Sequence, residues 1–275
     1  MLHVILPLVL AASTGLASVD QQTAHERDVV VSGTTFHIRQ AGSGASLVVF
    51  EAGMGEDLST WDKVQPSVAT FARTLSYDRA GLGKSSPPKA TPRDARQLAL
   101  ELHDLLQALN ERGPVVLVGH SLGGAIAQLF AHQYPSEVAG LILVDPEDGR
   151  VDELVASRLP ANLASARREA IAQAMPTLPA PVRLEKEALP LSGQEVARAV
   201  PLPVVPITVL TGTKKNPEFP GNPMEQDTKL ELHNAFVREV HAKHILVPQS
   251  RHYIQNDAPE IVVEAIRAVV VQRSN

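Results

Sequence analysis

The chain has 275 residues, 44% of them hydrophobic, which is apolar material for one sizeable core rather than two small ones. Its 25 lysines and arginines against 30 aspartates and glutamates give a formal charge of −5, and basic residues gather only in short pairs such as Arg167-Arg168 and Lys214-Lys215. That excludes a nucleic-acid footprint, which needs clustered cations, and the absence of cysteine excludes disulfides, thiolate nucleophiles and Cys-ligated zinc.

In chain order, the apolar run Val4 to Ala12 is followed by the small residues Ser13, Thr14, Gly15, Ala17 and Ser18. This reads as a secretory signal peptide over residues 1–17, whose cleavage after Ala17 would leave 275 − 17 = 258 residues. The run is shorter than the roughly 20 apolar residues a membrane span requires. His3 is the sole basic candidate before it, and no Lys or Arg occurs until Arg27. The expected location is therefore secreted or periplasmic, with a cytoplasmic protein carrying an uncleaved extension as the alternative.

The remainder, residues 25–275, alternates strands and helices. Arg27 to Ser32 and Thr35 to Gln40 are β-branched-rich runs around the turn residue Gly33. Leu47 to Phe50, Val115 to Val118 and Val138 to Val144 are continuous apolar runs, as expected of strands buried on both faces, and Thr74 to Tyr77 is a weaker strand. Leucines at 98, 102, 105, 106 and 109 mark a helix over Pro92 to Asn110, and Leu122 to Gln133 forms another. From Pro146 to Pro203 no long apolar strand occurs and prolines are frequent, so this stretch (about 146–203) is read as a helical cap inserted after the sixth strand. Strand Ile207 to Leu210, helix Lys229 to Ala242, strand His244 to Val247 and helix Pro259 to Val271 complete the pattern. Such alternation predicts an α/β fold with a mostly parallel sheet covered by helices on both faces. In such sheets ligands bind beyond the carboxyl ends of the strands.

One motif sits at such an end. Gly119-His120-Ser121-Leu122-Gly123 lies between a buried strand and a helix, the setting of a sharp turn that lifts a serine hydroxyl above the sheet. It also places that hydroxyl at a helix N-terminus, where developing negative charge is favoured. The bland alternative is that Ser121 merely caps the helix.

With Glu51-Ala52-Gly53-Met54-Gly55, Tyr77 to Ser85, Gly119 to Gly124, Leu143-Val144-Asp145 and His252 before a terminal helix, the chain resembles the α/β-hydrolase family, in particular its esterase-like members with a helical cap. The resemblance covers nearly everything after the leader, with the blocks in the family's order. It implies the α/β-hydrolase fold, Ser121 as nucleophile and His252, in the loop after the last strand, as general base. Among the ten histidines, His103 and His132 lie in helices, and His233, His241 and His244 lack the spacing of a metal motif. No metal or cofactor is expected.

The acid of the triad departs from a common pattern in this family, because Thr211 to Asn216 contains no carboxylate. Other members carry it at the end of the preceding strand, which here is Asp145; Glu147, Asp148 and Glu218 are the alternatives. For the oxyanion, the resemblance implies the backbone N–H groups of Leu122 and Met54. Glu51 would oppose that negative charge and is expected to turn away, toward Arg79; a substrate-binding role for Arg79 stays open.

The implied function is hydrolysis of carboxylic esters, thioesters or lactones through an acyl-enzyme. Alternatives are an amidase or aminopeptidase, an acyltransferase, a cofactorless peroxidase, or a ligand receptor keeping a slow hydrolase site. A serine nucleophile argues against dehalogenase and epoxide hydrolase chemistry, which needs an aspartate there. The partner is a small-molecule acyl substrate, and the Leu, Val, Ala and Pro of the cap predict a modest apolar acyl pocket.

Overall fold

The computed structural model describes residues 24–214 and 222–272; the leader at 1–17 and Glu218 lie outside them. Eight strands make one sheet: β1 (His25–Val31), β2 (Thr34–Ala41), β3 (Leu47–Glu51), β4 (Arg73–Tyr77), β5 (Val115–His120), β6 (Val138–Val144), β7 (Ile207–Gly212) and β8 (Lys243–Val247). Their order is β1-β2-β4-β3-β5-β6-β7-β8. β2 runs antiparallel to β1 and β4, and every pairing from β4 to β8 is parallel. This is the mostly parallel sheet of the α/β-hydrolase fold. Every residue of β3, β5, β6 and β7 is buried.

The continuous apolar runs feed two cores because successive strand side chains point to opposite faces. Val49, Leu117, Leu141, Leu143 and Val209 pack on one face with α2 (Ala95–Ala108) and α3 (Leu122–Gln133). Val48, Phe50, Val116, Val118, Ile142 and Val144 pack on the other, with α1 (Gln65–Ala69) and the terminal helix. Helix α2 begins at Ala95 rather than Pro92 because the Asp94 carboxylate accepts the Gln97 N–H at 2.8 Å and caps it there.

Three helices separate β6 from β7: α4 (Val151–Arg158), α5 (Ala161–Ala174) and α6 (Ala180–Arg198). They are followed by α7 (Asn222–Glu239), which starts before the expected Lys229, and by α8 (Ile254–Asp257) and α9 (Pro259–Gln272). Helix α6 contains Pro190 and buries Glu185, Ala188, Leu189, Ser192 and Glu195. Those positions lie on one helical face, yet three of the five are polar. Two of them dock on α2 by hydrogen bonds: Ser192 Oγ accepts the Ala95 N–H at 2.9 Å, and Arg96 Nε donates to Glu195 Oε1 at 2.9 Å. The first-turn N–H groups of a helix have no acceptor within it, and negative charge near them is favourable.

Replacing Ser192 by Ala would strand the Ala95 N–H in a buried contact. It should lower unfolding free energy by about 1–3 kcal/mol in urea denaturation. Gln194→Ala, on the exposed face of the same helix, should stay within about 0.5 kcal/mol of wild type. Equal losses in the two variants would contradict the docking role.

Candidate active site

Ser121 joins β5 to α3 with φ 51° and ψ −119°, a backbone conformation that residues with a β-carbon rarely adopt. Crowding fixes the turn. A β-carbon at Gly119 would come 2.2 Å from the Gly123 carbonyl oxygen, and one at Gly123 would come 2.3 Å from that of Glu51. The Ser121 N–H donates to Val144 O at 3.1 Å, and its carbonyl accepts the Gly124 and Glu147 N–H groups, both at 2.9 Å. The hydroxyl makes no capping bond to α3, so Ser121 is not an ordinary helix cap.

Asp145 follows β6 directly, with φ 43°, and is 1% exposed. Its Oδ1 accepts the Gly212 N–H at 3.1 Å, and its Oδ2 accepts His252 Nδ1–H at 2.6 Å. Burial works against this carboxylate, but the charge of Lys229 and the hydrogen bond from His252 outweigh it and hold Asp145 well below the usual carboxylate range. Of the described acids considered from the sequence, Asp145 is the one on His252. Asp148 pairs with Arg150 instead, at 2.6 Å. Glu147 lines the adjoining cavity, where burial pushes its carboxyl up to about 7.

The end of β7 contributes in two ways that its lack of a carboxylate hides. Gly212 gives its N–H to Asp145, and it admits the loop carrying His252, since a β-carbon there would come 1.7 Å from Arg251 O. Nothing wider than glycine lets that loop lie across the strand end.

His120 ties the two halves of the site together. Its Nε2–H donates to the His252 main-chain carbonyl at 3.0 Å, its Nδ1 faces Glu56 Oε2 at 3.0 Å, and its ring lies 4.6 Å from the His252 ring. Burial opposes ionisation of Glu56, but His120 and the Gly53 N–H hold it down at about 2. Ser121 and His252 thus stand at the same sheet edge, with the Ser121 hydroxyl making no hydrogen bond to the imidazole among the described residues. Serine–base pairs are often open before substrate arrives.

One residue of the site carries no mark in the sequence. Lys229, from α7, donates from Nζ to Asp145 Oδ2 and stands 3.2 Å from His252 Nδ1. It is one lysine in a helix that also carries Glu225, Asp227 and Glu231, without an apolar period to orient it.

On the other side of Ser121, the loop after β3 presents Gly53, Met54 and Gly55. The Gly53 N–H goes to Glu56 Oε2 at 2.8 Å and the Gly55 N–H to Glu185 Oε2 at 2.9 Å. Between them the Met54 N–H has no acceptor among the described residues, and Leu122 opens α3, where the helix offers none. Glu51 does turn to Arg79, at 2.7 Å, and Tyr77 OH donates to its other oxygen. Arg79 uses its remaining donors on Ala52 O (2.7 Å), Gly53 O (2.6 Å) and both oxygens of Glu185 (2.8 and 3.1 Å). Every guanidinium donor is engaged, so Arg79 has none for a substrate; it ties the loop after β3 to α6.

A cavity of about 480 Å³ opens beside His252, lined by Asp145, Glu147, Asp152, Arg167, Lys186 and Lys229 among others. Val151 and Ile171 of the cap line it as well, so the apolar pocket expected from the cap is shared between apolar and charged side chains. Val151 and Val155 also pack with Leu232 of α7, and Asp152 pairs with Arg167 at 2.5 Å. Among the described residues no group of three or more His, Cys, Asp or Glu could hold a metal ion, and no helix is long and apolar enough to cross a membrane. His233 and His244 instead converge on Thr211 Oγ1, at 2.9 and 2.8 Å, and His233 Nε2–H donates to Pro146 O at 2.9 Å.

Residues 46–222 match a family model described as the alpha/beta hydrolase fold. The chain is 35% identical over 125 residues to the uncharacterized protein YqjL of Bacillus subtilis, a match covering 45% of this chain and 49% of that protein. It therefore spans about half the length of that curated relative. A thermophilic esterase from Thermogutta terrifontis, solved with malate bound, superposes with a TM-score of 0.65 at 22% identity, over 90% of this chain and 99% of that one. The epoxide hydrolase CorEH, solved without ligand, gives 0.68 at 18% identity, over 91% and 99%. At such identities the likeness is one of fold.

The Arg79 cluster has a measurable weight. Arg79→Met leaves Glu51 and Glu185 facing each other, buried and without their counter-charge, and should cost about 3–5 kcal/mol in chemical denaturation. A loss below about 1 kcal/mol would show that the cluster does not hold the loop.

Proposed function

Because the chain belongs to the alpha/beta hydrolase family, we propose that it is a serine hydrolase cleaving small carboxylic esters through an acyl-enzyme, with Ser121, His252 and Asp145 as its triad. The observation that carries this reading is the 2.6 Å bond from His252 Nδ1–H to Asp145, at the edge where the positive-φ Ser121 stands. An imidazole so held has Nε2 as its free base, the nitrogen needed to take a proton from a serine hydroxyl.

Attack begins when Ser121 Oγ adds to the ester carbon and its proton passes to His252 Nε2. The negative charge then on the carbonyl oxygen is received by the Met54 and Leu122 N–H groups, which have no acceptor of their own. His252 returns the proton to the departing alcohol, leaving an acyl group on Ser121. Water, deprotonated by the same nitrogen, then releases the acid. Substrate binding closes the serine–imidazole gap, helped by the third of the His252 side chain that remains exposed.

Multiple turnovers of p-nitrophenyl acetate are expected. Ser121→Ala should abolish turnover. Asp145→Asn should lower kcat by about 10³–10⁴ while circular dichroism shows a folded protein. Turnover surviving in Ser121→Ala would sink the reading.

A further inference from the structure

Lys229 occupies a place that an ordinary structural ion pair would not choose. It donates to Asp145 Oδ2, the same oxygen that receives His252 Nδ1–H, while Oδ1 is taken by Gly212. Its side chain is only 15% exposed, and its ammonium stands 3.2 Å from a ring nitrogen of the imidazole. Asp145 accepts only, so the proton between it and His252 lies on Nδ1, and the lysine has no lone pair to use there. The contact between ammonium and ring is one of charge, not a hydrogen bond.

We propose that Lys229 is a positioning residue that holds His252 uncharged and so extends the reactivity of the Ser121 site toward acid conditions. The inference rests on the reading of His252 as the general base. A fixed cation against Nδ1 opposes a second positive charge on the ring, while sharing Oδ2 weakens the support that Asp145 gives to an imidazolium. The base therefore stays available at lower pH, and each protonation during turnover is correspondingly less stabilised.

The surroundings of His252 leave Lys229 as the adjustable element. Asp145 at the end of β6 favours the charged ring. His120, at the end of β5, and Tyr253, whose ring lies 5.3 Å away, pack against it, with Glu56 reaching it through both His120 and Tyr253. From α7, His233 bonds Pro146 O rather than the ring. Glu147 and Arg251 flank the cavity, Gly212 of β7 contributes only its backbone, and Asp257 of α8 accepts from Ser250 Oγ at 3.0 Å behind the loop. Burial lowers the His252 pKa first; the hydrogen bond to Asp145 raises it, and Lys229 and His120 lower it further, for a net fall. Burial also opposes the charge on Lys229, but the Asp145 carboxylate more than restores it, so the lysine stays protonated while the imidazole titrates.

The test compares Lys229→Met and Lys229→Gln, which remove the charge, with Lys229→Arg, which keeps it. Two readouts are followed: the acid limb of kcat/KM against pH with p-nitrophenyl acetate, and the NMR titration of His252 in histidine-labelled protein, assigned by loss of its signal in His252→Asn. A folded state with a lowered pKa means that the base form is lost only as pH falls below the usual histidine range. Removing the cation should therefore move both midpoints up by about one pH unit or more in the Met and Gln variants. Lys229→Arg should keep the wild-type midpoints. Midpoints unchanged in Met and Gln, or a lower plateau without displacement, would overturn the proposal, as would an Arg variant that shifts with the others. The NMR midpoint needs no substrate, so it judges Lys229 even if no ester is cleaved, an outcome that would count against the esterase reading alone.

Discussion

The buried carboxylate of Asp145 is the fixed point on which the C-terminal half of the molecule is assembled. Its own N–H donates to Leu210 O at 2.8 Å, and its two oxygens take the Gly212 N–H, the His252 ring and the Lys229 ammonium. A charge out of water is tolerable only when such donors replace the lost solvent. Because these donors come from β7, from the loop after β8 and from α7, satisfying one side chain brings three separate segments to the same edge. The crowded backbone around Gly119 and Gly123 does the corresponding work on the other half, aiming Ser121 at that edge.

Much of this is written where the chain must be apolar or small. Continuous runs such as Val138 to Val144 announce a strand buried on both faces, and the glycines flanking Ser121 announce a turn too tight for β-carbons. That the carboxylate meeting His252 comes from the end of β6 rather than β7 was legible too, since Thr211 to Asn216 has no carboxylate to offer. Helix α6 was not. Hydrophobic periodicity finds a buried face only when that face is apolar, and here Glu185, Ser192 and Glu195 are buried by bonding to named partners, with Pro190 breaking the pattern further. Lys229 escaped for the same reason: a buried lysine looks like a surface lysine until its carboxylate is located in space.

The cap shows how one segment can serve a core and a cavity together. Val151 and Val155 hold the cap down against Leu232, and Val151 borders the cavity together with Ile171. Beside them the cavity holds charged groups in ion pairs, such as Arg167 with Asp152 and Glu225. Which side chains face a cavity is decided by what the rest of the element must bury.

The cap helices are also unequally tied down. Glu185 reaches the loop that carries Met54, and Ser192 and Glu195 seat α6 on α2, whereas α5 buries only Ala164. Drift in α4 and α5 can therefore remodel the mouth of the cavity while the groups beside Ser121 keep their places. Such a division lets a lineage explore new guests without dismantling the chemistry that receives them.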